Sequence, residues 1–272
     1  MSEHESVTFR PRAVRAAINY LAAMDRRPQV VNDDYSKNDM DLVPIEVDIC
    51  DAGDLVPAPS IDREGFTLAT HTVLRDDPQL GNNLPTFRES LVPLMKRLTG
   101  ADEIALAPSS IVRRQQASTL QAEAPPVHFV HSDYSEKGPE QTLSRYAPPS
   151  RSTVRRTALF NMWKLLSPGP TDRPLALCDA STVTPDHLIV GDSRFLASDF
   201  AFETAFFRHA TEHRWHYYPS LRDDELIVFK QGDTDGAFPR FVPHTAFADR
   251  SCPPGRPPRV SMELRCRAVW FD

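Results

Sequence analysis

Proline outnumbers glycine 25 to 10 in this chain of 272 residues, and the prolines fall mainly between short apolar runs. That punctuation limits the fold more than any other feature. Proline fixes φ and has no N–H to give to a ladder or a helix interior, so long uninterrupted elements are disfavoured wherever it recurs. The intervening runs have strand length. PIEVDIC alternates, with Ile45, Val47 and Ile49 on one side and Glu46 and Asp48 on the other. ALFNMWKLL, PLALCDA, RWHYYP, DELIVFK and PRVSMELRCRAVWF are further strand-like runs. Short strands joined by Pro/Gly turns predict a β-sandwich or barrel, mainly β with flanking α-helices.

Two stretches read as helices. In residues 12–24, Val14, Ala17, Ile18, Leu21 and Ala22 follow the i, i+3, i+4 spacing. Residues 83–100 form the second, with Gly100 suited to the position just past a helix end. SIDREGFTLATHTVL reads as a turn and a strand, and ADEIALAPSSIVRRQQ as a strand entering a charged loop. Residues 199–213 read as a short helix or an aromatic-rich lid segment.

Composition narrows the function. With 40% hydrophobic and 25% charged residues the chain is ordinary globular material, enough for one domain with a substantial core. A net charge of −6 without a long basic run argues against nucleic acid. Cys50, Cys178, Cys252 and Cys266 make no C-x-x-C pair, so neither a zinc ribbon nor a disulfide framework is expected, and the expected setting is reducing and cytoplasmic. No apolar run has the length to span a bilayer, and the polar N-terminus does not look like a secretory signal.

The chemistry centres on VHFVHSDYSEKGP. On a strand, His131 and Asp133 project from the same face. One imidazole and one carboxylate are two members of the 2-His-1-carboxylate triad that binds iron(II) and leaves coordination positions open. His244, in FVPHTAFAD, is the best candidate for the third member, although a lone histidine is more often packed or capped. Fifteen residues on comes Arg259-Val260-Ser261. Arg259, Ser261, Glu263 and Arg265 share one face, and Val260, Met262, Leu264, Cys266 and Ala268 the other. A strand with one charged face usually turns that face to solvent. In a small barrel it faces the mouth instead, where an arginine fork beside a serine hydroxyl suits a carboxylate. Arg265 has the alternative of a salt bridge with Glu263 or Asp249. Trp215, Tyr217, Tyr218 and Phe206 read as core or lid, and Asp179 as a turn cap.

H-x-D, a distal His and R-x-S, in that order, is the pattern of iron(II)/2-oxoglutarate oxygenases on a double-stranded β-helix. From about residue 44 to 270 the chain resembles the family of the gibberellin desaturase, the AsaB-like hydroxylase/desaturases and the cephamycin CmcJ component. SIDREGF, VHSDYSEKGP, NMWKLL, PLALCDA, HRWHYYPSLRDDELIVFKQGDTDG, RFVPHTAFAD and PRVSMELR carry the resemblance. It implies a double-stranded β-helix (jelly-roll, cupin-like) core over 44–272, with helical insertions, preceded by a helix and loop over 1–43, in one oxygenase domain. His131, Asp133 and His244 would hold Fe(2+), and Arg259, with Ser261 and Asn161, would bind 2-oxoglutarate. O2 is the other cosubstrate. Arg265, Glu263, Tyr134 and Trp163 are the expected substrate contacts.

The expected reaction is oxidative decarboxylation of 2-oxoglutarate coupled to hydroxylation, desaturation or ring closure. The substrate would be a small specialised metabolite, an amino acid or other carboxylate. Two departures from the family pattern, Lys164-Leu165 after the Trp and the absence of His from APSSIVRRQ, are expected beside the substrate pocket. Two other readings stay open. One is an accessory subunit serving a partner enzyme in a biosynthetic pathway. The other is a cupin-like metalloenzyme that does not use 2-oxoglutarate, which would need no Arg259.

Overall fold

The computed structural model describes residues 12–71, 84–115, 123–137, 141 and 143–272. His4, Asn83 and part of the loop after HSDY (138–140 and 142) lie outside the described residues. The strands are, in order, β1 (Ala13–Leu21), β2 (Gln29–Val31), β3 (Leu42–Asp51) and β4 (Phe66–Thr70). Helix α1 (Leu84–Thr99) follows, and then β5 (Glu103–Leu106), β6 (Ile111–Arg114), β7 (Glu123–Ala124) and β8 (His131–Ser132). Next are β9 (Val154–Leu165), β10 (Leu175–Cys178), β11 (Leu188–Phe195) and β12 (Phe200–Phe207). The last four are β13 (Trp215–Tyr217), β14 (Glu225–Asp233), β15 (His244–Ala246) and β16 (Val260–Phe271).

These strands make two sheets. One has nine strands in the order β1-β3-β13-β10-β15-β8-β12-β11-β2. The other runs β4-β14-β9-β16-β6-β7, with β5 also paired to β16. The curled sheets form the expected jelly-roll-like core. Side chains alternate across β9 and β16. Phe160, Met162, Met262, Leu264, Cys266 and Ala268 join one apolar cluster with Phe87, Leu91, Leu94 and Met95 of α1. The apolar face of β16 is thus covered by a helix, and its charged face turns inward. Gly100 ends α1 at φ +66°, the left-handed conformation expected of it.

Three local expectations are corrected. The 12–24 segment is not a helix: β1 pairs with β3 from Ala13↔Cys50 to Leu21↔Leu42. The segment holds both periodicities, and the partner strand decides between them. Ala16, Ile18 and Tyr20 are buried at spacing two. The Trp215 indole N–H donates to the Tyr20 hydroxyl at 2.7 Å, and that hydroxyl lies 3.0 Å from His213 Nδ1. The expected N-terminal helix is therefore a sheet edge. Residues 199–213 are not a helix either. β12 forms a hairpin with β11 and pairs with β8, so its aromatic residues alternate as strand residues. In APSSIVRRQ the expected charged loop contains β6, paired to β16. Phe206, Trp215, Tyr217 and Tyr218 are core, and Asp179 caps its turn by accepting the Ser181 N–H at 2.9 Å.

Candidate metal centre

His131 and His244 lie directly opposite each other on the paired strands β8 and β15. Cross-strand partners present their side chains on the same face, and the two imidazole centroids are 4.3 Å apart. Asp133 follows β8. Its Oδ1 lies 3.8 Å from His131 Nε2 and 4.0 Å from His244 Nε2. The three ligand atoms fall within 4.8 Å of one another, and all three residues are buried.

The donor set suits a metal ion. His131 Nδ1 donates to the Phe129 carbonyl and His244 Nδ1 to the Val242 carbonyl, each at 3.0 Å. These bonds set the tautomer and leave both Nε2 lone pairs directed toward Asp133. Burial pushes His131 down to about 3, with His244 adding to the shift, and burial lowers His244 as well. Both rings therefore stay neutral, the ligating form. Burial alone would raise Asp133, but Arg265 and the two histidines hold its carboxyl well below the usual range.

The opposing sheet supports these groups from longer strands. Phe229 of β14 meets the His244 ring edge-on, at a centroid distance of 4.7 Å. Gln231 accepts the Asp133 backbone N–H at 3.0 Å and the Ser132 hydroxyl at 3.3 Å. Arg265 Nε donates to Asp133 Oδ2 at 2.8 Å. Asn161 pairs in register with both Phe229 and Arg265, and neither of its amide atoms has a hydrogen-bond partner. An amide this buried without a partner is costly unless a ligand completes it.

Arg259 is 2% exposed. Its Nε donates to Ser261 Oγ at 3.1 Å and its Nη1 to the Arg173 carbonyl at 2.9 Å, and its guanidinium lies 4.9 Å from the Trp163 ring centroid. No carboxylate among the described residues pairs with it. Burial pushes its pKa down to about 10, the signature of a cation short of a counter-charge. A ligand carboxylate would supply one.

A cavity of about 190 Å³ opens on the other side of the triad. His131, Asp133, Tyr134, Arg113 and Arg265 line it, with aromatic walls from Tyr35, Phe129, Tyr146, Phe195 and Phe202. The APSSIVRRQ segment contributes as expected, through Ala107, Pro108, Ser109, Ile111 and Arg113. Tyr134, an expected substrate contact, lines this cavity.

Of the other expected substrate contacts, Arg265 also lines the cavity, whereas Trp163 and Glu263 do not. Trp163 does not line the cavity but lies beneath Arg259. Glu263 is engaged by Arg113 at 2.9 Å and Arg265 at 3.6 Å, and Arg265 pairs with Asp133 rather than Asp249. Lys164 turns to the opposite face of β9 from Trp163, and its ammonium donates to the Asp223 and Glu225 carbonyls, so it is not a pocket residue. Arg113 and Gln231 were not foreseen. Both stand in polar runs, IVRRQQ and KQGDTD, where nothing in the sequence separates them from their neighbours.

The chain is similar to known proteins over most of its length. The family described as "Oxidoreductase/YMDC permease-like domain" matches residues 18–269. The hydroxylase/desaturase efuI of Hormonema carpetanum is 30% identical over 243 residues, 78% of this chain and 79% of the relative. The Fe(II)/2-oxoglutarate-dependent dioxygenase nvfI of Aspergillus novofumigatus is 28% identical over 222 residues, covering 75% and 78% of the two chains. A solved structure of the iron and alpha-ketoglutarate-dependent endoperoxidase NvfI shares the fold, with a TM-score of 0.80 at 20% identity over 98% of this chain and 100% of that one. The chain belongs to this oxidoreductase family, among relatives named as hydroxylase/desaturases and iron(II)/2-oxoglutarate-dependent dioxygenases.

Proposed function

We propose that the protein is a non-haem iron(II)/2-oxoglutarate-dependent oxygenase that hydroxylates, desaturates or oxidatively cyclises a small specialised metabolite. The carrying observation is the buried convergence of His131, Asp133 and His244 within 4.8 Å, with the unpaired Arg259 on the facing sheet. His131 Nε2, His244 Nε2 and one oxygen of Asp133 would hold the iron. Arg259, positioned by Ser261 and the Arg173 carbonyl, would take the distal carboxylate of 2-oxoglutarate, and Asn161 would hydrogen-bond its inner end. When bound, iron, 2-oxoglutarate and O2 together supply an oxidant able to break an unactivated C–H bond.

The remaining residues serve binding and exclusion of water. Tyr134 and the aromatic cavity walls would hold an apolar substrate body against the triad. Phe229 and Trp163 keep water from the metal and from the guanidinium. Glu263 and Arg265, which suggested a carboxylate or amine on the substrate, already satisfy each other and their neighbours. Those two residues therefore give no charge argument for an amino-acid substrate; Arg145 also lines the cavity, whose aromatic walls favour an apolar or aromatic surface. The sequence resemblance to the gibberellin desaturase and CmcJ group supports the same reaction class.

The test is an anaerobic titration with iron(II) and then 2-oxoglutarate, followed by visible absorption. A charge-transfer band is expected in the wild type and none in His244→Ala. A wild type that binds iron but develops no band with 2-oxoglutarate would turn the reading toward a metalloenzyme with another cosubstrate.

A further inference from the structure

Asp133 is the least anchored member of the triad. It lies beyond the two-residue strand β8, and its carboxylate is held by neither the backbone carbonyls that fix the histidines nor a neighbour on its own sheet. The hold comes from across the barrel. Arg265 sits mid-strand on the twelve-residue β16, between β9 and β5, and donates Nε–H to Asp133 Oδ2 at 2.8 Å. This occupies one carboxylate oxygen and leaves Oδ1 as the atom facing both imidazoles.

Arg265 is itself held. Its Nη2 lies 3.6 Å from Glu263 Oε2, and Glu263 takes Arg113 through both oxygens, at 2.9 and 3.4 Å. Arg113 also reaches the Tyr35 hydroxyl and the Pro125 carbonyl, each at 3.3 Å. The four charges alternate in sign along one path, so each has its counter-charge. Burial opposes the charge on Arg265, yet Asp133 and Glu263 raise its pKa, so it remains a cation.

We infer that Arg265, buttressed by Glu263 and Arg113, is a positioning residue that commits Asp133 to ligating the metal through a single oxygen, and is not a substrate anchor. This rests on the triad being the metal centre. A carboxylate free at both oxygens could chelate and close one of the positions that the facial triad must leave open. The Nε–H bond disfavours that by engaging Oδ2 and fixing the carboxylate's orientation. The planar guanidinium can serve Asp133 through Nε and Glu263 through Nη2 at once, whereas a lysine ammonium supplies charge without that fixed fork. The same arrangement explains why a cavity lined by Arg113 and Arg265 has no buried cation left over for substrate.

The experiment uses cobalt(II) as the metal probe, with affinity and the d–d absorption spectrum as readouts that need no turnover. Arg265→Gln should weaken cobalt binding about 10- to 100-fold, the usual effect of losing a group that orients a metal ligand, and should change the d–d spectrum as the coordination number rises. Arg265→Lys, which retains the charge, should keep most of the affinity and still show the altered spectrum. Glu263→Gln should cause a smaller loss in the same direction. Cobalt affinity and spectrum unchanged in both Arg265 variants would overturn the inference while leaving the metal centre standing. Wild-type protein that binds no cobalt would instead overturn the metal centre itself.

Discussion

The two sheets meet at the triad with opposite designs. The nine-stranded sheet brings the candidate ligands from its shortest strands, two residues in β8 and three in β15. The seven-stranded sheet brings Gln231, Asn161 and Arg265 from within β14, β9 and β16, which run nine to twelve residues, and Arg259 from the residue just before β16. Short strands orient few side chains by themselves, because each contributes only one or two paired positions. The ligands thus depend on the opposite wall for their geometry, and that wall depends on α1 for its stability. The lesson is a division of labour: one sheet donates the chemistry and the other holds it in place.

The contrast can be tested from either side. The largest effect is expected at Arg259, where Arg259→Ala should weaken 2-oxoglutarate binding by about two to three orders of magnitude, in line with losing a desolvated charge partner. Iron binding should be little changed, and calorimetric titrations of metal and cosubstrate separate the two. Next is the outer face of the same strand. Leu264→Ala should lower unfolding stability by about 2–4 kcal/mol in urea while the folded fraction still binds iron, because the cavity it leaves lies against α1 rather than at the site.

Per pH unit, the smallest effect concerns acid. His131 titrates near 3 in the folded protein, well below an ordinary imidazole, so the unfolded chain takes up its proton first as the pH falls below about 6.5. Metal-free protein should therefore lose about 1.4 kcal/mol per pH unit from this residue between those limits, and regain it as the pH rises. A His131→Asn variant should show a slope of unfolding free energy against pH that is shallower by that amount. An unchanged slope would mean that the ring is solvated in the folded state.

Much of the site was legible because its residues break the rules of the strands that carry them. Arg259, Ser261, Glu263 and Arg265 recur at spacing two opposite an apolar set, and H-x-D sits among Val127, Phe129, Val130 and Tyr134. Both patterns survive in the fold. Partner choice was less legible. The sequence offers Arg265 two acidic partners, Glu263 and Asp249, and the crossing of the sheets keeps Glu263 and puts Asp133 in the place of Asp249. Residues 12–24 failed for a related reason: small and apolar residues fit helix and strand spacing equally, and β3 with Trp215 settles the matter from outside the segment. Lys164 misled because its resemblance-based place beside Trp163 ignored the alternation that sends adjacent strand residues to opposite faces.

The cavity walls have a consequence for how such a protein can acquire new substrates. They come largely from Phe195 and Phe202 near the end of the β11–β12 hairpin, the 107–111 turn and Tyr35, all outside the triad and the α1-backed core. Exchanging residues there, Tyr35 apart because its hydroxyl meets Arg113, reshapes what can be admitted without moving a candidate metal ligand or opening the core. Innovation and inheritance can therefore proceed on separate parts of one chain: a lineage could retain the oxidising machinery unchanged while its hairpin and turn drift toward a different metabolite.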